Sequence, residues 1–285
     1  MKKKAKIISL LLCVVLCVAV FSGCSPKAAT TDTTQASDEY KLPEVLRIGM
    51  ECGFPPHNWT QLEASDFTVK MPDNTYVDGY DVQIAKKIAA ELGCEIEIVK
   101  VDWDGLPASL TSKKIDLIIA GMTDTEERRE TLDFTDIYWS SDLVIVVKAD
   151  GPYANATSLA DFDGAKITAQ METLHYDMVD KIPNVNKLAA MADFPTMLMA
   201  LSSDKIDGYV AERPAAISAG VTNPNIKFIA FEGSDGFGEE MPVSIGLRKG
   251  ETELCEKINA ILAKITITER QQLMEDAVER QPLSD

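Results

Sequence analysis

The chain has 285 residues, enough for one large or two ordinary domains, and its 46% hydrophobic and 26% charged residues are those of a globular protein. The formal net charge is −17, and setting aside residues 1–23, with four lysines and no acid, leaves −21. So acidic a chain argues against nucleic acid and anionic membrane surfaces as partners.

The N-terminus opens with Met1-Lys-Lys-Lys-Ala-Lys6 and continues as an apolar run over residues 7–21. That run is of signal-peptide length and shorter than the ~20 residues a membrane-spanning helix needs. It ends in Phe21-Ser-Gly-Cys24. Small residues before a cysteine resemble the bacterial lipobox, although Phe21 stands where leucine is usual. The resemblance implies that Cys24 is lipidated, becomes the mature N-terminus and tethers the protein to the outer face of the cell membrane. Residues 24–43 are rich in Ser, Thr, Ala and Asp with almost nothing to bury, and read as a flexible tether.

Residues 45–50 read as a first strand, followed by the turn-rich, aromatic segment Glu51-Cys-Gly-Phe-Pro-Pro-His-Asn-Trp59. Residues 60–78 read as irregular. Residues 81–92 form an amphipathic helix, with Val82, Ala85, Ile88, Ala89 and Leu92 on one face and Gly93 after its end. Residues 95–101 alternate as a strand, 103–112 read as a short helix, and 115–119 as a third, buried strand. Strand–helix–strand–helix–strand predicts a parallel sheet. Cys52 would end the first strand and Cys94 begin the second, roughly 20 Å apart, so no disulfide joins them.

The third strand turns at residues 120–123 and enters a charged helical turn near Thr125. Backbone N–H groups at such a place point outward and receive anions. Gly121 allows close approach, Thr123 offers a hydroxyl, and Arg128 offers the planar fork that pairs with a carboxylate. The plainer reading of Thr123-x-x-Glu126 is a capping box. Residues 132–134 and 143–147 read as strands. A second alternation follows: strands at 166–169, 186–188, 208–211, 226–230 and 242–247, and helices at 173–182, 197–203, 214–219, 252–264 and 268–278. The fold class is therefore α/β, in two lobes. Glu51, Gly121, Thr123 and Glu212 all fall at strand ends, where ligands sit in such sheets.

In combination, these motifs resemble the extracellular solute-binding proteins of polar amino-acid ABC transporters, over about residues 44–280. They are Gly79-Tyr-Asp-Val-Gln-Ile-Ala85, Trp103-Asp-Gly-Leu106, residues 114–128, Asp133-Phe-Thr135, Lys205-Ile-Asp-Gly208 and Gly246-Leu-Arg-Lys249. The resemblance implies a periplasmic-binding-protein-like fold with two hinge crossings, near residues 140–143 and 239–243. The first lobe would comprise residues 44–141 and 241–285, and the second 142–240. It implies that Arg128 clamps the α-carboxylate of a free amino acid, assisted by Gly121, Thr123 and Thr173, and that Glu212 pairs with the α-ammonium. Phe54 and Trp103 would sandwich the ligand side chain and Glu51 would face it. The family usually has Gly at the position of Glu172, Asp at that of Glu212 and Phe at that of His57; no role attaches to His57. Arg213 reads as a surface or hinge pair, Met197 and Met199 as core filler, and His175 as a surface residue.

The expected activity is binding without catalysis or cofactor, by a monomer that delivers its ligand to an ABC permease. Glu51 and Glu212 point to a basic amino acid, lysine or arginine; glutamine, cystine or another neutral polar amino acid is the alternative. The competing class is a cyclohexadienyl dehydratase-like enzyme on the same fold, with Glu212 as general acid. The sequence has no P-loop, no metal-spaced His/Cys cluster and no nucleophile elbow.

Overall fold

The computed structural model describes residues 41–282 apart from Glu239. The leader, Cys24 and nearly all of the tether lie outside the described residues. Strand β1, Val45–Met50, carries Leu46, Ile48 and Met50 fully buried on one face, as its two-residue period requires. The next 28 residues are more regular than their sequence suggests. Strands β2 (Gly53–Phe54), β3 (Asn58–Gln61), β4 (Val69–Lys70) and β5 (Tyr76–Asp78) make a small antiparallel sheet in the order β2-β3-β5-β4. Strands of two to four residues are too short to show a two-residue period, so residues 60–78 read as irregular.

Helix α1, Tyr80–Leu92, buries Val82, Ala85, Ile88 and Ala89 against the core and ends at Gly93, whose φ of 71° no side chain with a Cβ adopts as easily. Burying Val82 or Ile88 contributes about 1.5–3 kcal/mol each. Its first turn also buries Tyr80 and Asp81, because that end points toward the interior between the lobes. Strand β6, Glu95–Lys100, pairs parallel with β1 from Val45↔Glu95 to Met50↔Lys100. Cys52 and Cys94 thus lie beyond opposite ends of the pair, and the described cysteines 52, 94 and 255 are free thiols. Helix α2, Leu106–Thr111, leads to β7, Leu117–Ile118, parallel to β1 on its other side. The ladder is shorter than the expected 115–119, although Ile115 and Ile119 are fully buried. Helix α3, Glu126–Arg129, is capped by Thr125, whose hydroxyl accepts from the Arg128 N–H at 3.2 Å. The cap therefore sits two residues beyond Thr123.

The two stretches expected at 132–134 and 143–147 are one strand, β8, Leu132–Lys148. Asp136, Ser140, Ser141 and Asp142 in its middle interrupt the apolar pattern without interrupting the backbone. Beyond β8 the second lobe builds β9 (Lys166–Thr168), α4 (Leu174–Met178), β10 (Asn186–Lys187), α5 (Phe194–Ser202), β11 (Gly208–Glu212), α6 (Arg213–Thr222) and β12 (Ile226–Ile229). On α5, Met197 is fully buried but Met199 is 71% exposed. Residues two apart on a helix face different ways, so only one of the two is core.

Strand β13, Glu240–Arg248, returns to the first lobe and is followed by α7 (Thr252–Leu262) and α8 (Ile267–Arg280), which pack against α1. The main sheet runs β10-β9-β11-β8-β13-β7-β1-β6, with β12 also paired to β8. Two strands therefore pass between the lobes side by side, with Ser140↔Pro242, Ser141↔Met241 and Asp142↔Glu240 at the crossing. The Arg213 fork grips Asp142 there, Nε to Oδ1 at 2.7 Å, which makes it a hinge pair.

Candidate functional site

The carboxyl ends of β1 and β11 and the turn after β7 face one another across the two lobes. Between them lies a cavity of about 10 Å³, room for about one water, lined in part by Glu51, Phe54, Trp103, Gly121, Thr123, Arg128 and Thr173. All but one of the expected ligand residues thus meet at one place. Gln170, Leu174, His175 and Phe194 complete the wall.

Arg128 spans the lobes. Its guanidinium donates to the Thr123 carbonyl at 2.6 Å and to the Glu172 carbonyl at 2.9 Å, and lies over the Trp103 ring at 5.3 Å. Trp103 Nε1 donates to the same Glu172 carbonyl at 3.3 Å. Glu172 presents that oxygen from a φ of 56°, a left-handed conformation unusual for a residue with a side chain. Thr173 caps α4; its hydroxyl donates to the Gln170 carbonyl at 2.7 Å. The Gly121 N–H, expected to be free for a carboxylate, donates to the Tyr138 hydroxyl at 3.0 Å. A side chain at Gly121, φ 63°, would also press on Phe54, 3.0 Å from Cε1.

At the other end of the cavity, Glu51 Oε1 accepts from Gln170 Nε2 at 2.8 Å. Burial raises the Glu51 carboxyl, and the charges of Asp193 and Asp102 add to it; the Gln170 bond only partly opposes them, leaving it at about 7. Phe54 does not face open space. It stacks between His57, 4.8 Å away, and Phe194, 4.4 Å away.

Behind this wall lies a buried charged cluster. His57 is 0%, Glu212 1% and His175 7% exposed. His57 Nδ1 is 3.6 Å from Asp81 Oδ1, and its Nε2 is 3.4 Å from Glu212 Oε2; His175 Nε2 is 3.6 Å from Glu212 Oε1. These separations are too long for good hydrogen bonds, and the ring nitrogens of both histidines and both oxygens of Glu212 have no such partner. The attraction is nevertheless strong at this depth. Burial alone would lower His57, but Asp81 and Glu212 outweigh it and push it up to about 9. Burial alone would raise Glu212, and the two imidazoles reverse that, bringing it down to about 2. Asp81 is held by hydrogen bonds from Asn58 Nδ2 at 2.8 Å and the Tyr138 hydroxyl at 2.7 Å. Gly79 (φ 134°) allows this crossing, since a Cβ there would strike the backbone at residues 57 and 58.

The family model for bacterial extracellular solute-binding proteins, family 3, matches residues 46–277. The chain belongs to that family. It is 29% identical over 208 residues to the arginine-binding extracellular protein ArtP of Bacillus subtilis (strain 168), covering 72% of this chain and 78% of that one. An ancestral arginine-binding protein is 32% identical with TM-score 0.67 in its arginine-bound structure, covering 83% of this chain and 99% of that one. An ancestral arginine-binding protein bound to glutamine gives TM-score 0.68, also at 32% identity, over 83% of this chain and 98% of that one.

Within this family-3 chain, two residues stand elsewhere than the sequence suggests. Glu212 does not line the cavity; His175, which faces it, does. His175 is buried rather than on the surface, because the short helix α4 turns its first residues inward toward β11. His57, Gln170 and Phe194 carried no assignment. A histidine directly after Pro55-Pro56 at a strand end was the one signal that could have flagged His57. Among the described residues no cluster could hold a metal ion, and no helix is long and apolar enough to cross a membrane.

Proposed function

We propose that this family-3 protein captures one free amino acid with a basic side chain, arginine or lysine, and delivers it to an ABC importer. The observation that carries this reading is a cavity with a guanidinium fork, Arg128, in one wall and a half-buried carboxyl, Glu51, in another. A ligand carboxylate would replace the two carbonyls that Arg128 now holds, and a cationic side chain would meet Glu51. The arginine-binding relatives support that choice. Glutamine is the second reading, favoured by the Glu51–Gln170 bond, which shows Glu51 accepting from an amide, and by the ancestral protein's glutamine complex. The dehydratase alternative gave Glu212 a general acid's role, but a carboxyl brought down to about 2 has no proton to give near neutrality.

A calorimetric panel of arginine, lysine, glutamine and cystine separates the readings. Arginine or lysine is expected to bind tightest. A bound cation favours ionised Glu51, so the Glu51 contribution to arginine affinity is complete above about pH 7 and falls as pH drops below it. Glu51→Gln should lower arginine affinity roughly 10–100-fold, remove that pH dependence and leave glutamine affinity far less affected. Binding of glutamine with no response to lysine or arginine would overturn the basic preference.

We place the lobe boundaries at 141/142 and 240/241, which the Asp142↔Glu240 pairing supports. We also propose that the monomer is tethered through a lipid on Cys24. Labelling cells with a fatty-acid probe should mark the wild type and not Cys24→Ala; equal labelling would refute the anchor.

A further inference from the structure

Glu212 has been cast as the partner of a ligand ammonium, yet both its oxygens face imidazoles. The two histidines come from different lobes: His57 from the β2–β3 turn of the first, His175 from α4 of the second. His57 stands between two buried carboxylates, Asp81 and Glu212, and His175 stands between Glu212 and the cavity. None of these ring nitrogens or Glu212 oxygens makes a well-formed hydrogen bond, although all are buried. Buried polar groups left short of hydrogen bonds are costly and accept a better partner when one arrives. An ammonium is such a partner: it is compact, carries a full charge and has three donors.

We propose that His57 and His175 are recognition residues for the ammonium end of the ligand, sharing Glu212 with it, so that ammonium binding is accompanied by loss of a proton from the pair to solvent. The inference rests on the amino-acid-binding reading of the site. Electrostatics sets the direction. An added positive charge beside Glu212 disfavours positive charge on either imidazole, so protons bind the pair less tightly in the complex. The groups facing His57 are Asp81 and Tyr80 of α1, Glu212 of β11 and, through Asp81, Tyr138 of β8. Those facing His175 are Glu212 and the ring of Phe194. Glu51 lies elsewhere on the wall and titrates near 7, below His57 at about 9, so the two couplings fall in different pH ranges. Ligand affinity should therefore keep rising with pH above 7, by up to about tenfold per pH unit while one proton is released.

The sequence contains two histidines, so the spectrum holds two sets of imidazole signals to follow. Proton NMR of the imidazole C–H signals, followed against pH with and without a saturating amino acid from the panel, reads both rings directly. His175→Gln assigns which signal is which. Without ligand one ring should titrate near pH 9. With ligand, a midpoint of the pair should fall by about one pH unit or more. Calorimetry at pH 8 in two buffers of different ionisation enthalpy should show the matching proton release, and Glu51→Gln should retain it. If an amino acid binds while both midpoints stay in place or rise, this inference fails and the binding reading stands. If no amino acid gives heat at any pH, the binding reading itself fails.

Discussion

Arg128→Ala should lose about 10²–10³-fold or more in amino-acid affinity, measured by calorimetry, while the empty protein still melts cooperatively. Truncating one partner of a buried charge pair costs about 2–5 kcal/mol, because the other charge is left in a dry site without its counter-ion. Here the ligand carboxylate would face Thr173 and the Trp103 ring with no cation, since the Gly121 N–H is committed to Tyr138. Arg128→Lys keeps the charge but replaces the fork with a point, so it should recover only part of the loss. The empty protein should also change. Arg128 is one of three side chains that bond across the lobes at the cavity, with Trp103 and Gln170, so its removal should shift the ligand-free population toward more open forms, seen as a larger radius in solution scattering. Unchanged affinity in Arg128→Ala would remove the carboxylate clamp from the site.

Glu212→Gln should be nearly as severe and more diagnostic. The side chain keeps its shape but can no longer neutralise an ammonium, and affinity should fall about a hundredfold. Its effect on stability has a defined sign. Glu212 is depressed from 4.5 to about 2, so its stabilisation is present above about pH 4.5 and is lost as pH falls toward 2. His57 is raised from 6.5 to about 9, so its stabilisation is present below 6.5 and is lost as pH rises through 9. Glu212 and His57 share one contact, so their contributions are not to be added; either shift corresponds to about 3 kcal/mol. The difference in melting temperature between wild type and Glu212→Gln should therefore be greatest between about pH 4.5 and 6.5 and shrink on both sides. Taking the difference cancels Glu51, which is common to both proteins. A difference that stayed flat from pH 3 to 9 would mean that Glu212 is not held by the imidazoles.

The larger architecture was legible because it rests on long periodic segments. Residues 45–50, 80–92 and 95–100 carry enough residues for a two- or 3.6-residue period to show. What failed to show was short or non-local. The two-residue strands β2 and β4 have no period. The continuity of β8 is set by its partner β13, about a hundred residues later, and not by its own polar middle. Strand-end position and motif matching singled out Glu51, Arg128, Trp103 and Thr173, which the fold brings to one cavity, since those signals are local. They did not find the cluster around Glu212, which draws residues 57, 81, 175 and 212 from four separate elements. A lone histidine has no periodicity, and its meaning lies in the carboxylates that the fold brings to it. Trp103 and Phe54, expected to sandwich the ligand side chain, have their faces against Arg128, His57 and Phe194.

Strand β13 lies between β7 and β8 in the sheet, yet it is the last strand of the chain. A polypeptide delivered N-terminus first therefore presents β1, β6 and β7 with the edge beside β7 unpaired until residue 240 has emerged. During that interval every other strand of the second lobe, β9 to β12, becomes available to pair with β8 and with one another. The order of assembly thus differs from the order of synthesis: the lobe begun second can be completed first, and the lobe begun first waits for its closing strand. An unfilled slot of this kind is a ready acceptor for any extended segment, including β13 of another copy. Prompt arrival of residues 240–248 is what keeps that slot for its own chain.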